Sequence, residues 1–278
     1  MSGAGVLPLA LTIGEPAGIG PDLTLALWAK RAEFDLPPFY LVGDADFLRA
    51  RGRVLGLDVP IAIVAPNEAA SAFGRALPVA TLELPVTAAP GKPDATSAPA
   101  AIASIRRAVA DVLESRAAGL VTNPVAKNVL YRSGFAEPGH TEFLARLAEE
   151  ASGQHVRPVM MLWSEDLAVV PVTIHLPLRE IFSHLSRELI VETGRIVARD
   201  LTARFRIARP RLAVAGLNPH AGEDGAMGEE DLAVVTPAVA QLRPKASTRA
   251  GRCRPIRCFI RPRAPATTPR SACITTRR

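Results

Sequence analysis

Cysteine is missing from residues 1–241 of this 278-residue chain. That excludes a disulfide framework for most of the protein and suits a reducing cytosol. The three cysteines present, Cys253, Cys258 and Cys273, are separated by four and then fourteen residues, a spacing that matches no common zinc pattern. Acids are missing from the same region: residues 242–278 hold eleven of the 33 Lys and Arg and none of the 27 Asp and Glu. The formal charge of +6 therefore belongs to the tail, and the rest of the chain is acidic by five. An acidic body argues against a nucleic-acid partner. Long apolar runs are also lacking, so no segment is read as spanning a bilayer. The amino terminus has no basic region before its apolar stretch, and Glu15 interrupts it, so no leader is expected. A soluble, cytoplasmic protein is the expectation these absences leave.

What is present is an alternation of short β-rich runs and helical stretches. Leu7–Ile13, Phe39–Val42, Ile61–Val64, Gly119–Val121, Val159–Leu162, Ala168–Ile174 and Leu212–Ala215 have the length and branched content of buried strands. The clearest helix runs from Ser97 to Ala118, with Ile102, Ile105, Val109, Val112 and Leu113 at helical spacing, Ser97 as its cap and Gly119 as its stop. Such alternation implies an α/β fold, with a mostly parallel sheet covered by helices. The expected division is an N-terminal lobe over 1–124, a second lobe over 125–241, and a basic tail over 242–278 that buries too little apolar surface to order itself.

In "LTIGEPAGIGPDLTLALWAK" a strand runs through a Gly-rich turn into a helix opening at Pro21. Its glycines at 14, 18 and 20 do not fit the dinucleotide fingerprint G-x-G-x-x-G. A tight β-α turn and a ligand-contacting loop both remain open.

Only five histidines are present. His175 in "VVPVTIHLPLREI" and His220 in "RLAVAGLNPHAGEDG" each follow a strand, which places both at the carboxyl edge of a sheet, where open α/β proteins bind ligands. Two imidazoles there could hold a divalent metal given a further ligand, although each taken singly is more often a hydrogen-bonded structural histidine. "EPGHTEFLARL" puts His140 and Thr141 just before an amphipathic helix with Phe143, Leu144 and Leu147 on its apolar side. Thr141 reads equally as the helix cap or as a ligand contact. His155 and His184 lie among polar residues and are expected to be solvated.

The blocks "TIGEPAGIGPD", "LVGD", "LVTNPVAKNVL", "GHTEFLA", "PVTIHLPLREI" and "GLNPHAGEDGAMGEED", in that order to about Gln241, resemble those of the 4-hydroxythreonine-4-phosphate dehydrogenases of pyridoxal phosphate biosynthesis. The resemblance implies a two-lobed, isocitrate-dehydrogenase-like fold with the active site in a cleft completed across a homodimer. It implies NAD or NADP as cofactor and one divalent metal ion (Zn, Mg, Co or Mn). The implied reaction oxidises the secondary hydroxyl of 4-phosphooxy-L-threonine, and the β-keto acid then loses CO2 to give 3-amino-2-oxopropyl phosphate. His140 and Thr141 fall on the family's substrate-binding pair, and His175 and His220 on two of its three metal ligands. The third ligand, the histidine of a "YHDQG" motif, is absent, as are the later substrate-holding Lys, Asn and Arg. A related reading is a dehydrogenase of a four-carbon sugar-acid phosphate such as threonate or erythronate 4-phosphate. A reading of another class is a polyanion-binding protein that uses the Arg-rich tail.

The genetic code offers an origin for the tail. Residues 272–277 can be written GCA TGT ATC ACG ACC AGG, which from its third nucleotide reads Met-Tyr-His-Asp-Gln. Residues 254–261 can be written CGG CCG ATA CGC TGT TTC ATC CGC, which at the same offset gives Ala-Asp-Thr-Leu-Phe-His-Pro, resembling the family's "PADTLF" block. A one-nucleotide slip near Leu242–Lys245, with premature termination after Arg278, is therefore expected. The missing histidine would span the codons of Ile274 and Thr275, and the chain as written should turn over little substrate.

Overall fold

A computed structural model of the chain describes residues 6–243, apart from Ala136 and Pro138, and the backbone of Ser271–Thr275. It divides into two compact units, Met1–Arg157 and Pro158–Arg278.

The first unit runs β1 (Leu9–Thr12), α1 (Gly20–Ala29), β2 (Phe39–Gly43), α2 (Ala45–Leu55), β3 (Ile61–Ile63), α3 (Ala69–Ala72), β4 (Leu77–Thr81), α4 (Ser97–Leu113), β5 (Gly119–Val121), α5 (Lys127–Arg132) and α6 (His140–Ser152). Its five strands form one wholly parallel sheet in the order β3-β4-β2-β1-β5. Tyr40, Leu41 and Val42 of central β2 are fully buried, as expected for a strand covered on both faces. Leu41 joins Leu25, Trp28 and Leu48 on one face. Tyr40 and Val42 meet Ala108 on the other.

Helix α4 ends at Leu113, five residues short of the expected end at Ala118, and Ser115 turns the chain at φ 58° before Gly119 opens β5. Its cap is Thr96 rather than Ser97. The face laid on the sheet is small and partly polar: Ala101, Ser104, Ala108 and Asp111 are buried, while Leu113 of the expected apolar stripe is 55% exposed. Small side chains let the helix approach closely enough for the Ser104 hydroxyl to donate to Val42 O at 2.6 Å and accept from Ile13 N at 3.0 Å. Tyr40 donates to the buried Asp111 carboxylate at 2.8 Å, which Arg107 and Arg116 also contact. Burial, then this hydrogen bond, drives the Tyr40 phenol far above its ordinary pKa.

Strand β4 is absent from the sequence expectation. Pro78 sits inside it, and proline argues against a central strand because it cannot donate to a ladder. The strand nonetheless pairs on both sides, with Ala62 opposite Pro78 and Leu41 opposite Val79.

The division after Arg157 falls later than the expected boundary at 124/125, because α5 and α6 pack on α4. Leu130 is buried with Ala98 and Ala101, and Phe143 and Leu147 with Ile105.

The second unit runs β6 (Leu162–Trp163), β7 (Ala168–Pro171), α7 (Ile181–His184), α8 (Arg187–Ala203), β8 (Arg211–Val214), α9 (Thr236–Leu242) and β9 (Ser271–Thr275). A π-helical turn over Asp231–Val235 leads directly into α9. Val170, Ile190, Val191, Val197, Leu201 and Ala238 form its core. Helix α8 begins at the Ser186 cap, whose side chain accepts from Leu189 N.

The sheet order is β6-β7-β9-β8, with β9 parallel to both neighbours and β6 antiparallel to β7. Ser271–Thr275 thus corrects part of the expectation for the tail: these five residues form a strand by backbone pairing. The expectation of disorder for 244–270 and 276–278 lies outside the described residues. Among the described residues, no helix is long and apolar enough to cross a membrane.

Candidate active site

The β1–α1 loop is tight because it must be. Gly14 takes φ +70°, and a Cβ there would stand 2.5 Å from Pro124 O. A Cβ at Gly20 would stand 2.8 Å from Ile13 O. Glu15 N donates to Pro124 O at 2.8 Å. The amide of Asn123 ties the same loops together, donating to Thr12 O at 2.9 Å and Thr24 Oγ1 at 3.0 Å. Close packing of two strand ends therefore accounts for the glycines.

Helix α6 starts one residue before Thr141. Gly139 is the N-cap and contributes no side-chain bond, so Thr141 is inside the first turn and is not the cap. His140 is half-buried, and its Nε2 is shielded from solvent with no hydrogen-bond partner among the described residues. Burial, and then the Lys127 charge, hold its imidazole below the ordinary pKa, so the ring is neutral at neutral pH. Lys127, the first residue of α5, brings its ammonium against the start of α6: a Cβ on Gly139 would stand 3.7 Å from Nζ. Lys127 was not among the residues singled out in the sequence, because "TNPVAK" read as the end of a strand.

His175 lies four residues beyond the end of β7, exposed, with φ 56°. His220 follows β8 and is also exposed, within a run of left-handed residues from His220 (φ 54°) to Asp224 (φ 55°). A left-handed conformation costs an ordinary residue on the order of 1 kcal/mol, so this turn needs external support. Buried Asp231 supplies it by accepting from Leu217 N at 2.9 Å and Asn218 N at 2.8 Å. Asn218 Nδ2 also donates to Glu230 Oε2 at 2.8 Å. Asp231 carried no signal in the sequence beyond its place in the "GEED" block.

His140 and Thr141 belong to the first unit, and His175 and His220 to the second. His155 is exposed and contacts Glu149 at 2.6 Å, and His184 is exposed with Nδ1 2.8 Å from Glu180 O. Both are solvated, as expected.

Among the described residues, no three His, Cys, Asp or Glu side chains come together as a metal-binding group. Asp231, the buried acid nearest His220 in sequence, has both oxygens engaged by backbone amides. The donor set present does not fit a metal ion, which needs at least one ligand more than His175 and His220.

A cavity of about 750 Å³ opens at the carboxyl ends of β2 and β4, lined by Asp44, Phe47, Arg51, Glu83, Leu84 and Val86 among others. It contains none of the four residues picked out from the sequence.

The sheets and their covering helices define an α/β protein, and comparison with known proteins makes its class an oxidoreductase of the dehydrogenase type. A 4-hydroxythreonine-4-phosphate dehydrogenase of Bradyrhizobium diazoefficiens is 59% identical over 244 residues, covering 85% of this chain and 70% of the relative. The enzyme of the same name from Xanthobacter autotrophicus is 55% identical over 236 residues, covering 85% and 67%. The crystal structure of a 4-hydroxythreonine-4-phosphate dehydrogenase from Klebsiella pneumoniae superimposes with a TM-score of 0.75 at 34% identity, covering 87% of this chain and 72% of that one. Residues 35–266 match the family described as pyridoxal phosphate biosynthetic protein PdxA, and the chain belongs to that family. The match runs past Gln241 into the basic tail.

Proposed function

We propose that this chain is built to oxidise 4-phosphooxy-L-threonine with NAD or NADP and to release CO2 from the β-keto acid, giving 3-amino-2-oxopropyl phosphate. In the oxidation the carbinol hydride passes to the nicotinamide ring and the hydroxyl proton is lost. The observation that carries the reading is the start of α6, where a neutral, unpartnered imidazole on His140 stands beside Thr141, a residue freed from capping. Both groups can hydrogen-bond a polar substrate, and both lie in the "GHTEFLA" block that resembles the family's substrate site.

In this reading His175 and His220 are two of three ligands for one divalent ion, Zn, Mg, Co or Mn. An ion held by His175, His220 and a third ligand would supply Lewis-acid polarisation of the hydroxyl. No step is assigned to it in the chain as written, since the donor set is short of a ligand. What supports a third donor in the other reading frame is register: Ile274 pairs with Val170 on one side and Val214 on the other. The codons that would yield the missing histidine therefore fall on a strand lying between the two that lead to His175 and His220. The family's homodimer belongs to the same reading.

Two measurements test it. The coding DNA should read as the shifted motifs across residues 254–261 and 272–277, and incompatible codons there would sink the frame slip. NADH formation from the phosphorylated substrate with added metal should be near background for this chain and restored when the frame is corrected. Activity of this chain equal to that of the corrected one would show that it is not impaired.

A further inference from the structure

We propose that Lys127 is a further substrate-binding residue, holding the phosphate of the substrate beside His140 and Thr141. The proposal rests on the function given above and adds to its site a residue from a different helix.

Lys127 opens α5 and is exposed, so its ammonium is reachable from solvent. It forms no ion pair or hydrogen bond with any described residue. Most surface lysines are free in this way and mean nothing by it. Lys127 differs in where its charge lies: Nζ would be 3.7 Å, and Cε 3.9 Å, from a Cβ on Gly139, so the ammonium rests against the residue that precedes α6. A Cβ at 139 would be in ordinary contact with it.

Three features then converge. The first turn of α6 has no side-chain cap, which leaves its amide dipoles facing outward. The His140 ring presents an unpartnered nitrogen. Lys127 adds a full positive charge, placed where it opposes protonation of that ring. Glu142 Oε2 comes within 3.1 Å of the same Gly139 Cβ position, yet stops short of an ion pair with Lys127. A lysine ammonium is a compact, strongly hydrated charge suited to a phosphate dianion. A phosphate seated there would satisfy the ammonium and the first-turn amides at once, leaving the His140 ring to contact the rest of the substrate.

The test uses the full chain, isotope-labelled, with the His140 ring followed by NMR against pH and the resonance assigned through His140→Gln. The probe is inorganic phosphate at constant ionic strength set with chloride. Phosphate should raise the His140 titration midpoint in the unaltered chain and in Lys127→Arg. Lys127→Met should weaken apparent phosphate binding by roughly tenfold or more, and should itself raise the midpoint without phosphate by removing a like charge. Equal phosphate responses in Lys127→Met and the unaltered chain, or none in either, would overturn the proposal. So would an equal response to acetate, which would assign the position to a carboxylate. A phosphate response together with a frame-corrected chain that makes no NADH would defeat the proposed function and leave Lys127 as an anion site. NADH formation without a phosphate response would defeat the Lys127 assignment alone.

Discussion

The two units build their sheets by different means. In the first, every strand comes from one continuous stretch, and central β2 is buried along its whole length. In the second, β7 and β8 share no ladder; the strand that joins them, β9, arrives from Ser271–Thr275, far along the chain. β6 is two exposed residues long, and alternate residues of β8 face solvent. The first unit thus owes its sheet to apolar burial on both faces. The second owes its continuity to backbone hydrogen bonds from a segment whose side chains, in the frame-slip reading, were never selected for that place.

The largest effect should come from removing that segment. Deleting residues 271–278 should abolish slow amide exchange in β7 and β8 and leave β1 and β2 protected; unchanged exchange in the second unit would show that β9 adds nothing to it. The comparison sharpens from the other side with Tyr40→Phe. The phenol's hydrogen bond to buried Asp111 is lost while Arg107 and Arg116 still hold the carboxylate. The expected cost is about 1 kcal/mol, read by denaturant unfolding and confined to the first unit.

Smaller still is a pH effect. His140 has a folded pKa below its ordinary 6.5, so the unfolded chain takes up the proton first. Stability of the first unit should be level above that value and fall as pH drops below it. Unfolding at about pH 7.5 and about pH 5.5 should show this slope, reduced in His140→Gln; a slope unchanged by the substitution would place its origin in other groups.

How much of this was legible in the sequence follows from how local each signal is. An apolar run such as "FYLV" declared its strand because burial on both faces demands that composition. β4 hid behind Pro78, whose cost is paid by pairing with β2 and β3, which only the fold reveals. The length of α4 was overread because Leu113 continues a helical period that the structure leaves in solvent. At the site, histidines are rare enough to stand out. Lys127 and Asp231 did not, since a lysine or aspartate gains meaning only from what the fold sets beside it: the start of α6 for one, two loop amides for the other.

The contact between Gly14 and Pro124 has a reach beyond its own loop. Lys127 is three residues downstream of Pro124, and the intervening turn hangs from a backbone that β1 and α1 clamp through Glu15, Thr12 and Thr24. The ammonium is therefore mounted three residues from a backbone hydrogen bond that ties the loop after β5 to the β1–α1 loop, although the side chain itself is exposed. A substitution at Gly14, whose Cβ would stand 2.5 Å from Pro124 O, would push on the backbone three residues before Lys127 and so would move a charge at the start of α6 as well as straining its own loop.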